Sequence, residues 1–220
     1  MASDIGGVWR TIGGRRVFIK DGQDLASAMK ESGKFNNDNK KKLNEFGNSL
    51  LNEEITKEDK QILDYYVMSA GAYDINYVLR NEDAIPTEND KRAINQLTKT
   101  INKSELNKDI EVYRYISNEN VFYGLKEGDI YEDKGFMSTT YNNDTDRENN
   151  FQDYKIKAII KAKKGDSALD VSNIYDKQTD NPESEIIFNK NTKLELKKIE
   201  NVIDKYDEFT RKIYYFETKK

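Results

Sequence analysis

The sequence predicts an α+β fold with its helices ahead of its strands. Three observations carry this. The apolar spacing is helical from about residue 43 to residue 101, and changes to strict alternation after Asp109. Helices and strands do not alternate along the chain, which argues against a doubly wound parallel sheet. The conspicuous glycine pair, Gly13-Gly14, precedes a strand-forming run and not a helix, the wrong context for a dinucleotide-binding turn.

The first elements are local. Val8-Trp9-Arg10-Thr11-Ile12 and Arg15-Arg16-Val17-Phe18-Ile19 flank Gly13-Gly14, a hairpin signal. Asp24 caps a short helix over residues 25–32 that Gly33 stops, and residues 36–42, rich in Asn, Lys and Asp, read as a linker. Residues 1–42 therefore form a small hairpin–helix module with its linker, and residues 43–220 form the main domain. A two-stranded hairpin with one helix is marginal alone, so this module is expected to pack on something else or to act as a docking arm.

In the main domain, Thr56 and Asp59 form a capping-box pair opening a helix through Ile62, Leu63, Tyr66 and Val67. Gly71 interrupts, and residues 73–80 resume the helix with Ile75 and Leu79 four apart. Pro86 and Thr87 punctuate before a further helix carrying Ala93, Ile94, Leu97 and Ile101. About six strands follow, over residues 110–116, 136–141, 155–162, 186–188, 193–197 and 212–216.

Composition narrows the chemistry. With 14 Tyr and 9 Phe the chain can build a core despite 35% charged residues. It contains no Cys and no His, which removes thiolate chemistry, Ser-His-Asp hydrolysis and histidine metal sites together. Catalysis must rest on carboxylates, arginines, hydroxyls and aromatics. The formal charge of -4 gives no global attraction to nucleic acid. No apolar run approaches the ~20 residues of a membrane helix, so no membrane span is expected. Residues 1–8 lack a basic segment followed by an apolar core, so no standard secretion signal is expected.

One stretch carries unusual chemistry. In Asp180-Asn181-Pro182-Glu183-Ser184-Glu185-Ile186-Ile187-Phe188 a loop stiffens at the proline and enters an apolar strand. Alternation puts Glu183 and Glu185 on one face, roughly 6.5–7 Å apart. Two such glutamates on an edge strand are ordinarily just solvated, so their meaning depends on what else the fold brings to them. Three strand-borne features stand in order: Arg114 after Tyr113, Ser138-Thr139-Thr140 after Gly135-Phe136-Met137, and Glu183-x-Glu185.

That order resembles the Arg, Ser-Thr-Ser, Glu-x-Glu signature of the arginine-specific mono-ADP-ribosyltransferases, like the enzymatic components of clostridial binary toxins. Tyr66, followed by Tyr73 and by Ile75-Asn76-x-x-Leu79-Arg80, is similar to the family's NAD-lining helix, and Phe151 to its nicotinamide-side aromatic. Tyr154 stands where the family has a basic residue, leaving the phosphate to Lys155 or Arg147.

The resemblance implies N-terminal helices packed on a two-sheet β core. It implies NAD as a consumed substrate, no metal, and transfer of ADP-ribose to an accessible arginine of a protein with release of nicotinamide. It assigns Glu185, Glu183, Ser138 and Arg114 to catalysis. It assigns Arg114, Tyr66, Asn76, Arg80, Ser138, Thr139 and Phe151 to NAD. Within it, Glu185 stabilises the oxocarbenium-like state, Ser138 holds Glu185, and Glu183 selects arginine as acceptor. An NAD glycohydrolase and a non-catalytic docking protein remain alternatives. Gly7-Val8-Trp9-Arg10-Thr11-Ile12-Gly13-Gly14-Arg15-Arg16 resembles a module of phage minor head proteins, which implies virion association. The compartment stays open: host cytoplasm, virion delivery or non-standard secretion.

Overall fold

The computed structural model describes residues 55–68, 71–143, 154–171, 184–203 and 210–220, with the backbone of residues 7–12 and 15–20. The chain divides into two compact units, Met1–Phe46 and Gly47–Lys220. In the first, β1 (Gly7–Ile12) and β2 (Arg15–Lys20) form the antiparallel hairpin expected around the glycine pair, with Ile12 opposite Arg15. The helix expected at 25–32 and the linker at 36–42 lie outside the described residues.

The second unit opens with α1 (Lys57–Met68), α2 (Gly71–Arg80) and α3 (Glu88–Ile101). The Thr56–Asp59 box forms: the Thr56 amide donates to Asp59 Oδ2 at 2.8 Å and the Asp59 amide to Thr56 Oγ1 at 3.2 Å. Thr87 and Asp90 repeat the device at the start of α3. Asp59 also joins two helices. It is buried, and accepts from Thr100 Oγ1 at 2.7 Å and Lys103 Nζ at 2.6 Å. Burial alone would raise its pKa, but hydrogen bonds from Lys103, Thr56 and Thr100 outweigh that and hold the carboxyl well below its ordinary range.

The eight remaining strands are β3 (Ile110–Ile116), β4 (Ile130–Asp133), β5 (Met137–Thr140), β6 (Ile156–Ala162), β7 (Ala168–Asp170), β8 (Glu185–Phe188), β9 (Thr192–Ile203) and β10 (Thr210–Lys219). They form one mixed sheet in the order β4-β9-β10-β6-β3-β5-β8-β7, parallel between β10 and β6. The fold is α+β. The two sheets expected are two halves of this ladder, five strands and three, joined between β3 and β5 at the single pair Tyr113↔Thr140.

Each half has its own core. Leu63, Tyr66, Ile75, Leu97 and Ile101 of the helices pack on Phe136, Leu169, Val171 and Ile187 of the three-stranded half. In the other half Phe122 sits about 5 Å from the rings of Tyr131, Tyr214 and Phe216, with Leu194 and Leu196 also buried. The five-stranded half curls strongly. Asp133, on the outermost strand, reaches Arg114 of β3 at 2.7 Å, although three strands separate them in the ladder. Among the described residues no helix is long and apolar enough to cross a membrane.

Candidate active site

The site is built around the backbone that leads into β5. Asn76, buried on α2, accepts from the Phe136 amide through Oδ1 at 2.8 Å and donates through Nδ2 to the Tyr66 phenol at 3.0 Å. The Tyr66 phenol in turn donates to the Phe136 carbonyl, at 3.3 Å, and its ring meets the Phe136 ring edge-on at 6.0 Å. Arg80, one turn after Asn76, donates from Nη2 to the same carbonyl at 3.1 Å. Two helices thus grip both backbone polar groups of one residue, Phe136. This works only because residue 135 is glycine: a Cβ there would fall 2.5 Å from Asn76 Oδ1 and 2.8 Å from Arg80 Nε.

Strand register then decides which side chains meet. Ser138 pairs with Ile187 and Thr140 with Glu185, so Ser138, Thr140, Glu185 and Ile187 share one face. That face is the one Tyr66 and Phe136 pack on through Ile187. Tyr66 is coupled to the site: burial raises its phenol pKa most, the Glu185 carboxylate raises it further, and Ser138, Asn76 and Arg114 oppose this. Ser138 acts there through a hydrogen bond to the phenol, and Glu185 and Arg114 through their charges. Ser138, Glu185, Arg114, Tyr66 and Asn76 therefore gather in one place.

Glu185 is held by its backbone on both sides. Its carbonyl accepts from Val171 at 3.0 Å, beside β7, and it pairs with Thr140 of β5. Ser184 before it takes a left-handed φ of 51, uncommon for a residue other than glycine, while its carbonyl accepts from Tyr141 at 3.2 Å. The chain bends sharply there and delivers Glu185 to the first position of the strand.

Arg114 and Arg80 converge on Asp133. Arg80 Nε and Nη2 donate to its Oδ1 and Oδ2 at 2.8 and 3.1 Å, and Arg114 Nη1 donates to Oδ2 at 2.7 Å. Two guanidiniums about one buried carboxylate leave one net positive charge at the edge of the Tyr66 cluster. Residues 34–214, most of the chain, match the family model of the ADP-ribosyltransferase exoenzymes. The chain belongs to that family.

Solved structures repeat the architecture. The chain is similar to Plx2a, an ADP-ribosyltransferase toxin from Paenibacillus larvae, at 19% identity over 83% of this chain and 97% of that one, TM-score 0.69. It is similar to C3stau2 from S. aureus, solved with NAD, at 19% identity over 81% and 95%, TM-score 0.66. It matches BECa, from a binary enterotoxin of C. perfringens solved with NADH, at 17% identity over 97% of this chain and 55% of that one, TM-score 0.61. Likeness at these identities carries the fold alone. No curated protein matches the chain.

The remaining residues of this exoenzyme-family chain sort by face and by position. Thr139 turns away from Ser138: it is buried, pairs with Ile186 and gives its hydroxyl to the Ile186 carbonyl at 2.9 Å. Tyr73 lies on the outer face of α2, 73% exposed and stacked on Tyr77 at 6.1 Å, because it precedes the buried pair Ile75 and Asn76. Glu183, Phe151 and Arg147 lie outside the described residues. Lys155 is an exposed cation paired with Glu119 at 3.0 Å.

Sequence reasoning missed Asp133 and Lys157. Asp133 was readable only as an Asp-x-Gly turn, and its Oδ1 does accept from the Gly135 amide at 3.0 Å. Lys157 read as an ordinary strand lysine, yet it is buried with its Nζ 4.9 Å from the Tyr113 ring and 4.8 Å from that of Tyr115. Among the described residues no cluster of three or more His, Cys, Asp or Glu could hold a metal.

Proposed function

We propose that the chain cleaves the bond between nicotinamide and ribose in NAD and transfers the ADP-ribose to an arginine of a protein. The observation that carries this is the gathering of Ser138, Glu185 and Tyr66 beside the Arg114–Asp133–Arg80 group. The donor set suits NAD. A net positive guanidinium group fits a pyrophosphate, and a half-buried carboxylate backed by hydroxyls fits a ribose that becomes cationic.

The chemistry follows from what each group does to charge. As the C1′–N bond breaks, nicotinamide leaves with the bonding pair and the ribose becomes oxocarbenium-like. Glu185 lowers that state more than the uncharged ribose before it, which accelerates the step. Ser138 and Tyr66 fix the polar surroundings of Glu185, and Arg114 with Arg80 anchors the diphosphate so that the ribose sits still. An arginine nitrogen of the acceptor then bonds to C1′ and loses a proton to Glu183.

Mass spectrometry of a protein labelled by the enzyme in a cell lysate tests the acceptor. ADP-ribose on arginine is the expected result. Its recovery on asparagine or another residue overturns arginine specificity, and free ADP-ribose without labelled protein assigns the chain to NAD hydrolysis.

A further inference from the structure

We propose that Asp133 is a positioning residue that makes one diphosphate seat out of two arginines. The inference rests on the NAD reading above and adds a residue to it. Arg80 comes from α2 and Arg114 from β3, and their side chains, 35% and 22% exposed, bind the same carboxylate. Two guanidiniums held this close repel each other, and without a shared anion one of them swings out to solvent. Asp133 supplies that anion from the end of β4, with its own side chain 1% exposed.

Its hydrogen bonds also show how it acts. Oδ1 accepts from Arg80 Nε and the Gly135 amide, and Oδ2 accepts from Arg80 Nη2 and Arg114 Nη1. A carboxylate has about four acceptor positions, so none is left for a hydroxyl of the substrate. Asp133 therefore works through the arginines and does not touch NAD. It is itself pinned, since its carbonyl accepts from the Asn191 amide at 2.8 Å. The arginines keep N–H groups for the ligand: each guanidinium has five, of which Asp133 takes two from Arg80 and one from Arg114, and the Phe136 carbonyl one more from Arg80.

The test compares two ligands on the full chain: ADP-ribose, which keeps the diphosphate and is not cleaved, and nicotinamide, which has none. Asp133→Asn is expected to weaken ADP-ribose at least tenfold and to leave nicotinamide within twofold. Adding Arg80→Ala to Asp133→Asn is expected to cost less than twofold more, because the contribution of Arg80 is already lost. Equal weakening of both ligands marks a merely structural residue and overturns the proposal, as do fully additive losses or unchanged ADP-ribose binding.

If Asp133→Asn does not fold, Asp133→Glu keeps the charge on a longer arm. It is expected to weaken ADP-ribose at least threefold with nicotinamide unaffected, and wild-type affinity for ADP-ribose overturns the proposal. A wild-type chain that neither binds ADP-ribose nor cleaves NAD overturns the NAD reading and this inference with it. A wild type that cleaves NAD beside an Asp133→Asn variant of normal affinity overturns this inference alone.

Discussion

The Cβ that alanine would bring to Gly135 lies 2.5 Å from Asn76 Oδ1. Nothing there can yield cheaply, because Asn76 is tied to both the Phe136 amide and the Tyr66 phenol. Gly135→Ala should therefore cost about 1–3 kcal/mol of stability by overpacking. It should lower NAD cleavage by about tenfold or more, since Ser138 lies three residues on and its strand entry would shift. Denaturant midpoints and initial rates check this, and a variant with wild-type stability and rate would refute the packing argument.

Ser138 and Thr139 are neighbours with opposite duties. Ser138 hydrogen bonds to Tyr66 on the Glu185 side of the strand, while the Thr139 hydroxyl goes to the Ile186 carbonyl on the other. Ser138→Ala should reduce NAD cleavage by about 10–100-fold. Thr139→Val should keep the rate within about threefold while costing about 1–2 kcal/mol for the lost buried hydrogen bond. The reverse order of rates would show that the register argument misassigns the faces.

Much of this arrangement was legible in the sequence where the signal is local. The Thr56–Asp59 box lies within one turn, and β3, β6 and β9 alternate over long runs of β-formers, so each could be read without its neighbours. The strands β4 and β7 could not. They have 4 and 3 residues, sit at the two ends of the ladder, and show no usable alternation. Asp133 was illegible for another reason: its arginines lie 53 and 19 residues away, and only the curl of the sheet brings them to it. Tyr73 shows the limit of a motif match, which says nothing of which face of the helix each tyrosine takes.

The Tyr66 phenol is the junction between helices and strand. Tyr66→Phe removes the acceptor of Asn76 Nδ2 and the donor to the Phe136 carbonyl while leaving the ring contact with Phe136. The buried amide is left short of a partner, which should cost about 1–3 kcal/mol. Thermal unfolding measures this; an unchanged midpoint would mean that Asn76 is held by Phe136 alone.

Acid should erode the stability that the Asp59 carboxylate contributes between α1 and α3. The Asp59 carboxyl is held below its ordinary pKa in the folded state, so its contribution is fully present above pH ~4 and fades as pH falls through and below that range. Asp59→Ala should cost about 3 kcal/mol at neutral pH by stranding Lys103 and removing the half of the α1 capping box in which its carboxylate accepts from the Thr56 amide. Its stability should fall less steeply than the wild type's as the solution is acidified. Parallel slopes for the two proteins between pH ~2 and ~5 would rule out Asp59 as the titrating group.

The central claim is tested most directly by following both halves of labelled NAD in one reaction with lysate, for the wild type, Glu185→Gln and Glu183→Gln. The account predicts nicotinamide release and labelled protein from the wild type, neither from Glu185→Gln, and nicotinamide release without labelled protein from Glu183→Gln. A Glu185→Gln enzyme that still releases nicotinamide at the wild-type rate would contradict it.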